Sequence, residues 1–254
     1  MYGYGYRYNS GLVVGAGGGA PFVNTYSTQY DGIDDYINIG NAINFEYNNA
    51  FSYSFWINPN AVSGVKYLFS KYASSRGILI YLNSSSAAGN NTLNFNLYNL
   101  GSGTPSSRKY ITTNSTNMAL PNEWTNIVIT YNGSGLGSGI SFYKNGVAQS
   151  VTVTNDSLDS NTIVTSQDAY ISGNNFGSSF YAGKQDEFAI FNTELSSENA
   201  SVIYGSGQPN DLTDLSPVAW YRFEEGMGTT AIDSGSGGND GTLTNGVAYS
   251  TNVP

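Results

Sequence analysis

The chain has 254 residues, of which 14% are aromatic and only 11% are charged, so its solubility must depend on Asn, Ser, Thr and Gly. Its formal net charge of −9 argues against a phosphate-binding surface, and hence against a nucleic-acid partner, because such surfaces need clustered Lys and Arg. The absence of Cys and His excludes disulfides and removes the commonest zinc ligand and the commonest general base at neutral pH.

The first segment, residues 1–21, alternates Tyr with Gly and then becomes almost pure Gly and Ala. Such a composition cannot bury enough apolar surface to order itself, which favours a flexible arm. The alternative is an anchoring arm that becomes ordered against a neighbouring subunit. Its contacts would then be four tyrosines, Tyr2, Tyr4, Tyr6 and Tyr8.

The remaining residues, 22–254, are expected to form a single domain that begins with a series of strands. Residues 26–40 predict two short strands around a tight acidic turn. Phe51–Pro59 has apolar residues at alternate positions and is the clearest core strand, which Pro59 should end because proline cannot donate to a central ladder. The same alternation predicts further strands at 67–72, 77–83, 93–97 and 110–113.

The central stretch, residues 124–154, predicts three strands. In the first two, apolar residues such as Ile127 and Phe142 alternate with smaller or polar ones, as half-buried strands require. The dipeptide Asn145-Gly146 predicts a type I′ hairpin turn before the third strand, because that turn needs a positive φ at both central positions.

The C-terminal part predicts strands at 169–173, 184–191 and 218–223, with a short helix between the last two. Ser196 can cap this helix and Gly205 can end it. Residues 218–223 are apolar on both faces, so the block 218–248 is expected to complete the sandwich. Regular strands joined by Gly/Asn turns, with one short helix, predict an all-β fold of two antiparallel sheets. The helix residues expected to pack inward are Leu195, Ala200 and Ile203.

Five pieces of the sequence, taken together, resemble one family. They are YDGIDDYINIG, FSYSFWINP, EWTNIVITYNG…ISFYKNGV, GKQDEFAIFNTELSSENASVIY and WYRFEEGMGTTAIDSGSGGNDGTL. Over residues 22–248 the chain resembles the laminin-G-like branch of the concanavalin A-like lectin/glucanase superfamily. The resemblance implies a jelly roll, often with a Ca²⁺ site and a glycan- or protein-binding face. In typical members the last piece precedes the first, which leaves three arrangements open: a permuted strand order, a stub of a second repeat, or a strand donated to a neighbour.

The low-charge composition rich in Gly, Asn and Tyr also resembles structural proteins of marine tailed bacteriophages. This resemblance implies a non-enzymatic structural, decoration or tail component at the virion surface. Its partners would be other virion proteins or copies of itself, with glycans as a further ligand. The alternative is a carbohydrate-binding lectin that is secreted or displayed on a cell surface. No apolar run approaches the length of a membrane-spanning helix, so membrane insertion is not expected.

Catalysis by this superfamily needs paired carboxylates, which retaining glycosidases hold about 5–5.5 Å apart. On a strand, residues i and i+2 share a face, whereas neighbours in sequence do not. Asp186 and Glu187 are neighbours, as are Glu224 and Glu225, and each pair should therefore point to opposite faces. We expect no catalytic pair and no enzymatic activity.

A structural Ca²⁺ site is predicted in the C-terminal block. Calcium takes six to eight oxygen ligands, and Asp233, Asn239 and Asp240 lie in a Gly/Ser-rich turn that can bend main-chain carbonyls inward. The family resemblance implies that Asp186 lies near this turn. The alternative is that these residues serve only the chemistry of the turn.

A sugar site would combine aromatic rings for stacking with Asn or Asp side chains for hydrogen bonds. The candidate residues are Tyr98, Tyr110 and Tyr143, close to Asn-rich loops. The alternative is that these tyrosines belong to the core or to a surface without a ligand.

Overall fold

The structure, a computed structural model, describes residues 22–84, 91–100 and 108–254, with side chains described except at residues 100 and 108–111. The arm tyrosines Tyr2, Tyr4, Tyr6 and Tyr8 lie outside the described residues. Within the described part, two antiparallel sheets and one α-helix account for the regular structure, apart from two short 3-10 turns. This confirms the predicted two-sheet sandwich with one short helix. No helix in the described ranges is long and apolar enough to cross a membrane.

The first sheet has eight strands, in the order β10-β9-β8-β3-β13-β1-β17, and β14 also pairs with β13. Every pairing in it is antiparallel. The strands are β1 (Ser27–Asp31), β3 (Phe51–Pro59), β8 (Thr125–Tyr131), β9 (Ile140–Lys144), β10 (Val147–Gln149), β13 (Ala182–Phe191), β14 (Ala219–Tyr221) and β17 (Ala248–Ser250).

The second sheet has nine strands, in the order β11-β7-β6-β5-β4-β12-β2-β16-β15. Four consecutive strands, β4 to β7, form a meander at one side of it. The strands are β2 (Tyr36–Asn38), β4 (Gly64–Ala73), β5 (Arg76–Ser84), β6 (Asn91–Leu100), β7 (Arg108–Thr116), β11 (Thr152–Asp156), β12 (Tyr170–Ile171), β15 (Thr230–Ala231) and β16 (Gly241–Thr244).

The main hydrophobic core lies between the two sheets. Alternate residues of β3 point into it, and they meet Phe188 of β13 and Phe69 of β4. The rings of Phe55 and Phe188 stack with centroids 5.5 Å apart and planes inclined by 10°. Burial of such large aromatic side chains supplies much of the free energy that favours folding. The inward residues of β3 are the four predicted from its alternation: Phe51, Tyr53, Phe55 and Ile57.

The hairpin between β9 and β10 turns at Asn145 and Gly146, which have φ of 51° and 74°. A type I′ turn requires these positive angles, so the sequence prediction is confirmed. The third predicted strand of the central stretch divides in two. β10 ends at Gln149 in the first sheet, and β11 then crosses to the edge of the second.

The one α-helix of the described ranges, α1 (Ser197–Tyr204), covers the outer face of the first sheet. Ser196 accepts a hydrogen bond from the backbone of Asn199 at 3.2 Å, and the Asn199 side chain accepts one from the backbone of Ser196 at 3.0 Å. Gly205 ends the helix in the left-handed conformation at φ 56°. The helix thereby buries a second apolar cluster, which includes Val128, Tyr143, Phe191, Leu195, Ala200, Ile203 and Trp220.

The C-terminal block lies beside the first strands of the same domain. β14 pairs with β13, β16 pairs with β2, and β17 pairs with β1. Tyr221 and Phe223 point into the main core, whereas Trp220 points into the second cluster. The block therefore occupies a position next to the YDGIDDYINIG strands, although it follows them in the sequence.

Candidate functional site

The outer face of the second sheet carries a regular array of side chains on β4, β5 and β6. Ile78 and Ile80 of β5 point into the core, so Gly77, Leu79 and Tyr81 point outward. The register then places their partners on β4 and β6 in three rows across the strands. The rows are Tyr72–Gly77–Tyr98, Ser70–Leu79–Asn96 and Tyr67–Tyr81–Asn94.

Gly77 allows the rings of Tyr72 and Tyr98 to meet. The strands that carry these tyrosines are about 9.6 Å apart, because β5 lies between them and each strand spacing is about 4.8 Å. Their ring centroids are nevertheless 5.1 Å apart, at an edge-to-face angle of 71°. The intervening Gly77 has no side chain to keep them apart. Its φ is 121°, and a Cβ atom there would collide with the carbonyl oxygen of Lys71.

Five aromatic rings form a continuous surface on this face, which we call the aromatic patch. Phe176, from the segment between β12 and β13, lies 5.8 Å from Tyr67 and 5.6 Å from Tyr72, measured between ring centroids. Tyr67 also lies 5.6 Å from Tyr81. The Phe176 side chain is 43% exposed, so the patch is open to ligand at this point. Its members are Tyr67, Tyr72, Tyr81, Tyr98 and Phe176.

A buried amide fixes two hydroxyl groups of the aromatic patch. Asn96 is 2% exposed, and its Nδ2 donates to the hydroxyl oxygens of Tyr81 at 3.2 Å and Tyr98 at 2.7 Å. Its Oδ1 is buried without a hydrogen-bond partner. A phenol oxygen that accepts a hydrogen bond keeps its own O–H as a donor. Asn96 therefore fixes the positions of the Tyr81 and Tyr98 hydroxyl groups on this face.

The aromatic patch is electrically neutral. None of the nine outward positions in the three rows is Asp, Glu, Lys or Arg. Burial raises the pKa of both Tyr67 and Tyr81, so their phenols keep their protons near neutral pH. Lys71 belongs to the opposite face of β4, where its Nζ donates to Asn41 at 2.6 Å and to the Gln167 carbonyl at 3.0 Å.

The predicted metal residues of the C-terminal block form a hydrogen-bonded turn. Oδ1 of Asp233 accepts the backbone N–H groups of Trp220 and Gly235, both at 2.8 Å. Oδ2 of Asp233 accepts the backbone N–H of Asn239 at 2.9 Å, and Oδ1 of Asp240 accepts that of Asp233 at 2.9 Å. The structure thus brings these three residues together through their backbone.

Asp186 does not join that group. The carboxylates of Asp186, Asp233 and Asp240 do not all lie within 4.8 Å of one another. Asp186 is fully buried on β13, where it accepts hydrogen bonds from Asn24 Nδ2 at 3.0 Å and from the backbone of Glu187 at 2.9 Å. In the described ranges, the one group of three carboxylates within that distance is the acidic turn after β1, formed by Asp31, Asp34 and Asp35.

The expectation that Asp186 and Glu187 point to opposite faces is wrong. Relative to β3, strand β13 has a register shift between Asp186 and Ala189, and Glu187 has a φ of 48°. Such a bulge inserts a residue and redirects its side chain. Asp186 lies opposite Trp56 on the outer face, and Glu187 accepts the indole N–H of Trp220 on that same face. The two neighbours form what we call the acid pair.

Burial determines the electrostatics of the acid pair. Loss of hydration raises the pKa of Glu187 to about 8, although the nearby guanidinium of Arg222 acts in the opposite direction. Burial, followed by the charge of Glu187, raises the pKa of Asp186 well above its usual range. Arg222 Nε lies 3.7 Å from Glu187, and the Arg222 guanidinium lies 4.4 Å above the Phe22 ring. Residues 22–24 thus lie over the acid pair and separate it from solvent.

Comparison with protein families identifies the fold. Residues 31–201, about two thirds of the chain, match the Laminin_G_3 model, described as the concanavalin A-like lectin/glucanases superfamily. The chain belongs to this superfamily. The resemblance to this superfamily is therefore confirmed over residues 31–201, which contain or overlap the first four sequence pieces, whereas WYRFEEGMGTTAIDSGSGGNDGTL lies beyond them.

Solved structures agree with this assignment to the concanavalin A-like superfamily. One is a Bacteroides ovatus protein to which carbohydrate binding has been ascribed, with 16% identity, a TM-score of 0.61, and coverage of 91% of this chain and 60% of that one. The chain thus spans less than two thirds of that protein. Another is the receptor binding domain of botulinum neurotoxin D, with 19% identity, a TM-score of 0.50, and coverage of 71% and 43%. At these identities the likeness concerns the fold alone. No curated protein sequence matches the chain.

The three predicted sugar residues of this concanavalin A-like domain lie in different places. Tyr98 belongs to the aromatic patch, and Tyr110 lies opposite it on β7 in the backbone register. Tyr143 lies on β9 of the other sheet, where it is 9% exposed beside α1, so the structure does not bring it to this face. Sequence reasoning missed the other four rings and Asn96. Their alternation was visible, but the register that joins them was not.

Proposed function

We propose that the chain is a carbohydrate-binding module that holds a glycan against the aromatic patch. The observation that supports this most directly is the contact between the Tyr72 and Tyr98 rings over Gly77. Asn96 holds the phenol groups of Tyr81 and Tyr98 beside it. The superfamily and the carbohydrate binding ascribed to the Bacteroides ovatus protein are consistent with this proposal.

The chemistry of the aromatic patch suits a sugar ring. One face of a pyranose presents C–H groups that pack against aromatic rings, while its hydroxyls need donors and acceptors at fixed positions. Phe176 and Tyr72 supply rings that are at least partly exposed. The phenol group of Tyr81, held in place by Asn96, supplies a hydrogen-bonding position.

We propose that the module does not catalyse glycan cleavage. The acid pair is the one feature of β13 that could suggest a glycosidase, since two carboxylates share a face there. A retaining glycosidase must place both carboxylates beside the scissile bond. Asp186 and Glu187 are 0% and 2% exposed, and one oxygen of each already accepts a hydrogen bond, from Asn24 and Trp220 respectively.

We propose the virion surface as the place where this module is displayed, as a structural, decoration or tail component. The support is the low-charge composition rich in Gly, Asn and Tyr. Its partners would be other virion proteins or copies of itself. The alternative is a lectin that is secreted or held at a cell surface. An antibody against the domain should label assembled particles in the first case and cells or medium in the second.

Binding to an array of immobilised glycans tests the proposed site. Tyr98→Ala and Phe176→Ala should each weaken binding of any retained glycan at least about twofold, since an aromatic contact contributes roughly 0.5–1.5 kcal/mol. Leu136→Ala is a matched control, because Leu136 is an exposed apolar residue, at 51%, in the loop between β8 and β9. Absence of glycan binding, or equal losses in the control, would overturn the proposal.

A further inference from the structure

We infer that the aromatic patch is one end of a longer site for a neutral, linear oligosaccharide that runs across the strands, an inference that rests on the proposed function. The outward face continues beyond the aromatic patch onto β7 and β11. Thr112 lies opposite Asn96, and Asn114 lies opposite Asn94. On the next strand, Thr152 lies opposite Asn114. In the rows of Asn96 and Asn94, polar, uncharged residues therefore continue onto β7 and β11.

The dimensions of this face exceed one sugar ring. From β4 to β11 there are four strand spacings, which at about 4.8 Å each give roughly 19 Å. The rings lie at the β4 to β6 end, and hydroxyl and amide groups lie at the β7 to β11 end. A ligand that contacts both ends needs an apolar sugar face at one end and hydroxyls along its length. A chain of several linked sugars meets both needs.

The charge distribution determines the class of sugar. A carboxylate or sulfate on a sugar normally requires Arg or Lys in the site, because a charged group that loses water needs a partner. Lys and Arg are absent from the rows named above, at the outward positions from β4 to β11 whose side chains the structure describes. The acidic residue of β11 is Asp156, and its Oδ1 accepts the backbone N–H of Gly137 at 2.9 Å. The face therefore favours uncharged hexose chains over uronic acid or sulfated chains.

Titration calorimetry with defined sugars tests this inference. The probes are cello-, malto- and manno-oligosaccharides of one to six residues, with alginate and heparin as anionic probes. For the series that binds, affinity should rise at least tenfold from one to four residues and should change less than twofold between 50 and 500 mM NaCl. Equal affinity for one and four residues would overturn the extended site, and tighter binding of alginate or heparin would overturn its neutrality. In both cases the proposed function would stand.

Variants at the far end separate the two proposals further. Asn114→Ala and Thr112→Val should weaken binding of the tetrasaccharide at least threefold and leave the monosaccharide unchanged. Tyr98→Ala should weaken both. Thr112→Val keeps the side-chain shape, so it tests the hydroxyl even if Asn114→Ala reduces folding. Unchanged tetrasaccharide binding by Thr112→Val would overturn the inference. Failure of every glycan to bind the unmodified domain would instead overturn the proposed function.

Discussion

The indole N–H of Trp220 donates a 2.6 Å hydrogen bond to Oε2 of Glu187, although Trp220 lies opposite Ala189 in the strand ladder. The bulge in β13 makes this contact feasible because it turns Glu187 outward. Trp220 comes from the C-terminal block, and Glu187 from the strand at the centre of the first sheet. The hydrogen bond therefore joins the block to the sandwich at a buried, titratable group.

Glu187 should make the stability of the domain depend on pH. Its pKa is raised from 4.5 to about 8 in the folded chain, so the folded state binds more protons than the unfolded state between these values. The stability present below pH 4.5 is therefore lost as the pH rises through about 8. Thermal melting should show a fall in melting temperature between pH 5 and 8.5. Glu187→Gln should flatten this slope, whereas the exposed Glu123→Gln should not; an unchanged slope in Glu187→Gln contradicts the assignment.

Gly77→Ala should destabilise the domain and disrupt the aromatic patch together. A Cβ at this position meets the Lys71 carbonyl, and φ 121° is unfavourable for alanine. We expect a loss of roughly 2–4 kcal/mol in the free energy of unfolding, measured with denaturant. Gly64→Ala is the control, because Gly64 also has a positive φ, 70°, but has nothing within 4 Å of the added atom. Equal losses in the two variants would show that the contact between Gly77 and the Lys71 carbonyl does not contribute to the free energy of unfolding.

Calcium should stabilise the domain if the predicted structural site exists. A ligand that binds only the folded state raises the melting temperature, so EDTA should lower it and Ca²⁺ should restore it. Two variants distinguish the acidic clusters. Asp240→Asn should abolish the response if the ion is held by the C-terminal turn, and Asp34→Asn should abolish it if the ion is held by the turn after β1. A melting temperature that is unchanged by both EDTA and Ca²⁺ would contradict the calcium prediction.

Asp233→Ala should destabilise the chain whether or not calcium is present. The carboxylate of Asp233 accepts three backbone N–H groups, and alanine would leave all three without this partner. The hydrogen bond from Trp220 is buried, and an unpaired buried N–H costs about 1–3 kcal/mol, so the total loss should be at least about 1–3 kcal/mol, to which the two part-buried N–H groups add less. Ser236→Ala, in the same turn, should cost much less, because its hydroxyl makes only a long 3.5 Å contact to Pro217. Similar losses in the two variants would contradict this role.

Removal of residues 217–254 should unfold or strongly destabilise the domain. The deletion takes away the four strands β14 to β17, and it uncovers the second cluster beneath Trp220. Loss of a buried Trp alone costs about 3–5 kcal/mol. Circular dichroism melting compares the truncated and full-length chains. A truncated chain that melts like the full-length one would mean that the block is a dispensable appendage.

The features that sequence predicted well are those with local causes. Phe51–Pro59 alternates along its own length, Asn145-Gly146 requires its own turn, and Ser196 caps its own helix. The aromatic patch depends instead on which residue of one strand lies opposite which residue of the next. Tyr98 alone gave no indication that Tyr72 would reach it over Gly77. Tyr143 also lies close to an Asn-rich loop in the sequence, but it belongs to β9, which is part of the other sheet.

The acid pair shows a different limit of sequence reasoning. Strict alternation places Asp186 and Glu187 on opposite faces, and the sequence of residues 185–189, QDEFA, does not indicate an inserted residue. The bulge turns Glu187 towards Trp220 and Arg222, which lie more than thirty positions later. The partners of Glu187 are therefore non-local and cannot be recognised from the sequence of β13.

The pairing of β1 with β17 has a consequence for how the chain folds during synthesis. Ser27 lies opposite Ser250, so this ladder joins segments from opposite ends of the domain and cannot form until nearly the whole domain has left the ribosome. The meander β4 to β7, by contrast, pairs only consecutive strands. We expect the meander that carries most of the aromatic patch to assemble early, and the free edge of β1 to remain a site for chaperones until β17 has been synthesised.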